Sequence, residues 1–491
     1  MMRDVGSPAP IRLGQAQLAE IARTGIPVPT YDRRRLRPAI VHVGVGGFHR
    51  AHLAVYAHEL ASQGSDWGIV GLGLLEADAF MAEALGGQDC LYTLIEKQGG
   101  EPSAQVIGSI TRYVHAPPAG HDGAVAELVA APDTLILSLT VTESGYAEPS
   151  EDGREAGERT TFDRIASALA RRRDSQAGRI TILSCDNVPG NGDAARAATL
   201  SAAARLDATL AAWVEEHCTF PNAMVDRITP ATAPGDRDWL RERAGIIDSW
   251  PVVSEPFRQW VMEDDFAAGR PSWEDAGALF TDRIHDWEQY KLRMLNAGHS
   301  CIAYLAALAG ITYVHEAMAV PGLRSFLESL IKCEAIPTLV EIPGHPAEDY
   351  AESVFERFAN VGVRDQIARV CIDGSAKFPT FLIPTIERQL AGGGPIERAA
   401  TALAGWARYL AVVDPERQAF DADGDRARRY AADAAGDPLL FLEYEAVFPG
   451  EVRSSPRFRS AFAAAYERIA TGGPLAAMGA ALAVEGAGGD E

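Results

Sequence analysis

Short apolar runs alternate with helically spaced ones through the first half of the chain. Ala39–Val45, Trp67–Leu72, Thr134–Leu139 and Ile180–Ser184 read as strands, each with small or polar residues after it. Between them, Phe48–Gln63, Gly123–Ala131, Phe162–Arg172 and Ala194–His217 carry the spacing of helices. Near-continuous apolar strands separated by helices predict a parallel sheet covered on both faces. Leu91–Glu96 and Gln105–Ile110 break the alternation and read as a hairpin or edge strands, and the polar stretch from Ser144 to Thr160 reads as a loop. From about Ile284 the strand signals fade. Helical patterns follow at Asp286–Leu308, Leu323–Glu334, Pro346–Ala359, Val363–Val370, Phe378–Ala391, Ile396–Val413 and Arg457–Ala470. The expected fold is α/β, a Rossmann-type and mostly parallel sheet over residues 1–283, followed by a mostly α-helical domain over residues 284–491.

Composition narrows the function. The chain has 491 residues and a formal net charge of −22, which repels phosphate backbones and anionic membranes and argues against nucleic-acid or lipid partners. Its length predicts two domains rather than one core. The six cysteines are scattered, with no Cys-x-x-Cys pair, which points to free thiols in a reducing cytoplasm. The start of the chain has no apolar signal core, and the longest near-continuous apolar run, Cys301–Val314, is too short for a bilayer.

The first strand runs into Gly44-Val-Gly46-Gly47-Phe48-His49-Arg50. Gly44 permits a tight turn, and Gly46 lets a pyrophosphate approach the backbone at a helix start. His49 stands where G-x-G-x-x-G has its third glycine, so the helix is expected to sit further from the strand. After the second strand come Glu76 and Asp78, acids that can bond ribose hydroxyls and repel a 2′-phosphate, with Asp78 the favoured contact. No Arg or Lys lies between Leu72 and Met81, so NAD is expected over NADP.

Chemistry concentrates in Glu288-Gln-Tyr-Lys291-Leu-Arg-Met-Leu-Asn296-Ala-Gly-His299. At about 100° per residue, Lys291, Glu288, His299 and Asn296 share an arc of about 140°, interleaved with Leu295 and Leu292. Such a face suits a partly desolvated pocket wall, although a half-exposed helix with snorkelling side chains has the same spacing. A buried lysine, its pKa lowered, can remove a hydroxyl proton while asparagine and histidine orient the oxygen. His49, His52 and His58 lack a carboxylate or cysteine to complete a metal site, and none is expected.

These residues resemble the signature of the polyol-specific long-chain dehydrogenases, the mannitol dehydrogenase family. So do Thr140-Val-Thr-Glu143-Ser-Gly-Tyr146, Ser184-Cys-Asp-Asn187, Pro221-Asn-Ala-Met-Val-Asp226-Arg-Ile-Thr229 and Asp373-Gly-Ser-Ala-Lys377-Phe-Pro379. The blocks run in the family's order from about residue 39 to about 470. The resemblance implies a metal-free, NAD-dependent oxidation of D-mannitol to D-fructose with Lys291 as general base. It further implies that Asn187 and Asn296 hold the reacting oxygen, that His299 positions substrate and that Glu288 exchanges protons with solvent. Asp226, Arg369 and Lys377 match polyol-binding positions, and Thr140, Glu143 and Asn187 match the cofactor side. A fructuronate reductase, an arabinitol dehydrogenase or a non-catalytic NAD-binding sensor are the alternatives, and the resemblance leans to a monomer.

Overall fold

The computed structural model describes residues 10–118, 122–147 and 160–483, in two compact units, 1–284 and 285–491. In the first unit, six parallel strands form one sheet: β1 (Arg37–Val43), β2 (Trp67–Gly73), β3 (Ile110–His115), β4 (Ile136–Leu139), β5 (Ile180–Ser184) and β6 (Cys218–Thr219). Their order is β3-β2-β1-β4-β5-β6, with every neighbouring pair parallel. Successive side chains leave opposite faces of a strand, and two cores result. Ile40, Ile69, Ile136 and Leu183 enter one core, while Val41, Val70, Leu137 and Ile182 enter the other. Burial on both faces is why these strands are apolar throughout.

The expected hairpin is present as Tyr92–Glu96 paired antiparallel with Ser103–Ile107, and Val252–Ser254 adds a third, parallel strand to it. Ile110–His115, by contrast, leaves the hairpin and joins the main sheet as its edge strand β3. A second small sheet pairs the edge strand Ala223–Asp226 antiparallel with Gln259–Met262, which pairs parallel with Leu279–Phe280.

Two helices expected to be continuous are broken. The first runs Gly47–Ala51 and Leu53–Ser62, with His52 at φ −123° and ψ −95° between them. The break frees carbonyls that distant side chains take up: Tyr92 Oη donates to the Arg50 carbonyl at 2.6 Å, and Arg227 Nη1 to that of Ala51 at 2.5 Å. The second runs Asn191–Leu206 and Ala208–His217. There Asp207 is extended, and its carboxylate accepts the Thr209 N–H at 2.9 Å as a cap for the new helix.

The second unit is helical. Glu397–Val412 packs against Ala297–Leu308 and Pro456–Ala483, around buried Trp406, Phe378, Phe441 and Phe462. Pro456–Ala483 kinks at Gly473, which has φ 80° and stands before Pro474. Among the described residues, no helix is long and apolar enough to cross a membrane.

Four histidines of the first unit, His42, His49, His52 and His58, are buried neutral. Desolvation lowers the pKa of His42 and His52 to about 3 and that of His58 to about 4. A depressed histidine contributes stability above the unfolded-state pKa near 6.5 and loses it as pH falls toward the folded value. Unfolding free energy should therefore drop between pH 7 and pH 5, by about 1.4 kcal/mol per pH unit for each histidine below about pH 6.5. Chemical denaturation across that range measures it, and an unchanged stability at pH 5 would contradict the assignment.

Candidate active site

The cleft of the first unit opens where β1 and β4 end side by side, the point at which strand order reverses. Gly44 leaves β1 at φ 88°, and a β-carbon built on it would lie 2.2 Å from the Thr140 carbonyl oxygen. No side chain fits there. The Gly46 N–H then donates to the Gly44 carbonyl at 2.7 Å, and the helix starts at Gly47. A β-carbon on Gly46 would meet nothing nearer than that carbonyl at 3.9 Å, so the backbone is open to approach from the cleft. Thr140 locks the turn from the other side: its hydroxyl donates to the Gly44 carbonyl at 2.6 Å.

His49 fills the space of the absent third glycine in a specific way. Its ring stacks on that of His42 at 3.4 Å and 15°, so the helix rests on the strand through two imidazoles. His42 meets Ser138 Oγ at 2.8 Å and Thr140 Oγ1 at 2.9 Å. Both ring nitrogens of His49 are buried without a hydrogen-bond partner, and burial holds its pKa far below the ordinary range.

The cleft encloses about 530 Å³, lined by Gly44, Gly46, Gly47, Asp78 and Thr140 among others. Asp78 is half-buried and its Oδ2 accepts the Leu75 N–H at 2.9 Å, whereas Glu76 is exposed and outside the lining. Phe48 is also outside it, stacked on His52 at 4.9 Å, and Glu143 is exposed. Asn187 is exposed just beyond β5, and Asp226 is buried at the end of Ala223–Asp226. Two lining or bracing residues were given no role by the sequence, although Asp186 stands inside the Ser184–Asn187 block. Arg164, from the helix Thr161–Asp174, lines the cleft and donates to the Leu74 carbonyl at 3.1 Å and to Asp122 at 2.9 Å. Asp186 accepts the Thr142 N–H at 2.7 Å and the Tyr146 hydroxyl at 2.8 Å.

In the second unit, Lys291–Asn296 is a single π-helical turn between the α-helices Ile284–Tyr290 and Ala297–Leu308. The Ala297 N–H reaches back five residues to the Leu292 carbonyl. This replaces the uniform helical wheel read from the spacing. Residues five apart stack in a π-turn, so Lys291 and Asn296 share a face instead of standing about 140° apart. Lys291 and Glu288 are each 8% exposed, and Glu288 lies 3.7 Å from the exposed imidazole of His285.

His299 follows on the next turn. Its ring stacks on Phe358 at 3.8 Å and 8°, and its Nε2 is buried without a hydrogen-bond partner, 4.0 Å from Asp365. Burial lowers its pKa to about 3, with Asp365 opposing the shift and Arg369, Arg357 and Lys377 adding to it. Asp365 takes Arg369 in a two-bond fork, at 2.7 Å to Nε and 2.5 Å to Nη2. Lys377 sits on the helix Gly374–Phe381, which packs against the π-turn, and donates to the Val370 carbonyl at 3.1 Å. The second unit thus gathers Glu288, Lys291, Asn296, His299, Arg369 and Lys377 on adjoining turns. Asp365 is a further member that spacing did not single out.

A parallel sheet in the order 3-2-1-4-5-6 with a glycine turn at its reversal, followed by a helical unit with a buried lysine, is the class of two-part Rossmann-type proteins. Within it, residues 38–275 match the mannitol dehydrogenase Rossmann domain and residues 283–470 the mannitol dehydrogenase C-terminal domain, and the chain belongs to the mannitol dehydrogenase family. A mannitol 2-dehydrogenase of Aspergillus terreus is 42% identical, over 96% of this chain and 99% of its own length. One from Phaeosphaeria nodorum is 41% identical, over 96% and 86%. Among solved structures, Pseudomonas fluorescens mannitol 2-dehydrogenase in ternary complex with NAD and D-mannitol superimposes with TM-score 0.85 at 37% identity, covering 96% of this chain and 99% of that one. A D-sorbitol dehydrogenase in substrate-free form has the same TM-score at 33% identity, covering 95% and 100%.

The two glycines of the turn should respond differently to a methyl group. Gly44→Ala sets a β-carbon against the Thr140 carbonyl at positive φ and should cost roughly 2–4 kcal/mol of stability. Gly46→Ala, with open space around it, should stay within about 1 kcal/mol of the parent. Thermal unfolding of the two variants checks this, and equal losses would show that the contact at residue 44 is not the constraint.

Proposed function

We propose that this chain interconverts a polyol and a ketose with NAD, oxidising D-mannitol to D-fructose and catalysing the reverse. The observation that carries the reading is the set of buried Lys291 and half-buried Asn296 and His299 on a π-turn and its following helix, beside Arg369 and Lys377. The relatedness to enzymes named for mannitol supports the substrate, and the complex of one of them with NAD and D-mannitol supports the cofactor.

The residues of the first unit fit a dinucleotide. The glycine turn leaves the backbone at Gly46 uncovered, and the first-turn N–H groups of the helix at Gly47 have no partner within it. Gly44, Gly46 and Gly47 would hold the pyrophosphate and Asp78 the adenine ribose, where its carboxylate opposes a 2′-phosphate and favours NAD over NADP. When bound, the nicotinamide ring accepts a hydride in oxidation and donates one in reduction.

The second unit supplies the proton chemistry. Neutral Lys291 Nζ takes the hydroxyl proton as the carbon–hydrogen bond is broken, and returns it in ketose reduction. Glu288, one turn earlier and 3.7 Å from exposed His285, passes that proton toward water. The Asn296 amide donates to the oxygen as negative charge gathers on it. His299, held neutral against Phe358, presents its buried Nε2 to a neighbouring hydroxyl. Arg369 and Lys377 bind the remaining hydroxyls. Asp226 and Asn187 take the polyol-binding and oxygen-holding parts that the resemblance assigns them, with Asn187 also on the cofactor side together with Phe48, Thr140, Glu143 and Glu76.

No metal is needed for this chemistry. Among the described residues, no group of three or more His, Cys, Asp or Glu is placed to hold one. We further propose a monomer in a reducing cytoplasm, without nucleic-acid or membrane partners. The free state of all six cysteines is consistent with that compartment.

A panel of D-mannitol, D-sorbitol and D-arabinitol with NAD, and of fructose and fructuronate with NADH, tests the function. D-Mannitol and fructose should give the highest kcat/KM, and no turnover of either would overturn the reading. Lys291→Ala should lower kcat by roughly 10²–10⁴-fold while NADH binds as before. Because the base acts unprotonated, oxidation should accelerate as pH rises and ketose reduction as pH falls. A retained kcat in the variant would remove Lys291 from the base role. Dialysis against EDTA should leave turnover unchanged, and loss restored by zinc would contradict the metal-free mechanism.

A further inference from the structure

Thr142 is held at φ 64° and ψ 169°, a region that side-chain-bearing residues avoid and β-branched ones avoid most. It lies in the segment that follows β4 and lines the cleft through Thr140, Val141, Thr142, Ser144 and Gly145. What holds it there comes from the neighbouring strand. Asp186, 6% exposed just beyond β5, accepts the Thr142 N–H on Oδ1 at 2.7 Å and the Tyr146 hydroxyl on Oδ2 at 2.8 Å. Tyr146 also meets Ser184 Oγ at 2.6 Å, and Ser184 Oγ accepts the Asp186 N–H at 3.2 Å. One carboxylate therefore grips the cleft segment at both ends of its short helical turn, Glu143–Tyr146, and ties it to β5.

We propose that Asp186 is a positioning residue for the cofactor: it clamps the strained segment 140–146 in the shape that the dinucleotide meets. The inference rests on the reading of this cleft as the NAD site. A glycine at 142 adopts positive φ without penalty, so a chain carrying it needs the clamp less. That separates a clamp from a merely structural acid. Burial raises the Asp186 pKa while its hydrogen bonds lower it, as befits a carboxylate kept by its partners rather than by water.

The test uses the full-length chain as Asp186→Ala, Asp186→Asn, Thr142→Gly and the two double variants, with NADH titrated by fluorescence and amide hydrogen exchange followed without cofactor. Asp186→Ala should weaken NADH binding about tenfold or more, and Asp186→Asn less, since one acceptor oxygen remains. Exchange of amides 141–146 should speed up by a similar factor while those of β4 and β5 stay protected. Combining either change with Thr142→Gly should bring NADH affinity back to within about threefold of Thr142→Gly alone, a non-additive cycle. Wild-type affinity and exchange in Asp186→Asn and Asp186→Ala would overturn the clamp, as would losses that simply add. Should Asp186→Ala not fold, the Asn pair decides. A wild-type chain that fails to bind NADH would defeat the cofactor reading instead, and the exchange rates still decide whether the segment is clamped.

Discussion

The Thr140 carbonyl occupies the place where a β-carbon of residue 44 would have to be. That contact joins the ends of β1 and β4 at the reversal of strand order, and the first unit is arranged around it. Glycine is required because the chain must turn away from the sheet at positive φ while touching its neighbour's backbone. The Thr140 hydroxyl reaches the Gly44 carbonyl, His42 reaches Thr140, and His49 stacks on His42, so helix, turn and both strands are fixed by consecutive contacts. The histidine that departs from the usual glycine pattern does not loosen the turn. It replaces a close helix–strand approach with a desolvated aromatic pair, which works only while both rings are neutral.

The second unit solves a different problem, how to keep ionisable groups out of water without leaving them unsupported. His299 is flanked by Phe358 and faces Asp365, whose two oxygens are engaged by Arg369. Cations count for more here than in a chain of average charge. With a net charge of −22, a cluster that includes Lys291, Arg369 and Lys377 stands against the field of the whole protein. Such clusters hold polyhydroxylated molecules well, since each cation offers several donors in directions a hydroxyl chain can meet.

The main strands were legible because burial on both faces leaves a nearly uninterrupted apolar run, and Ile180–Ser184 is found where its pattern puts it. β3 was not, because an edge strand carries Thr111 and Arg112 and has only one neighbour to satisfy. The break at His52 escaped for another reason. Nothing local demands it, and the groups that take up the freed carbonyls, Tyr92 and Arg227, are far away in the chain. The helical stretch around Lys291 was legible as a polar face, but a wheel drawn at one angle per residue cannot register a π-turn. Asp365 and Arg164 stayed silent because single charged residues without a spacing pattern look like any others until the fold sets them beside a histidine or a cleft. Asp186, although inside the Ser184–Asn187 block, had no role there until the fold brought it to the Thr142 N–H.

The π-turn also makes length itself part of the site. A turn that closes over five residues holds one more than an α-helix would use, so Ala297–Leu308 emerges rotated by about one residue's worth, about 100°, from the direction an unbroken helix would give it. Lys291 and His299, eight residues apart, therefore stand as residues seven apart do on an unbroken helix, about 20° from one another rather than about 80°. Eight residues do the angular work of seven, and straightening the turn without removing a residue would carry His299 away from the lysine's side with every side chain retained.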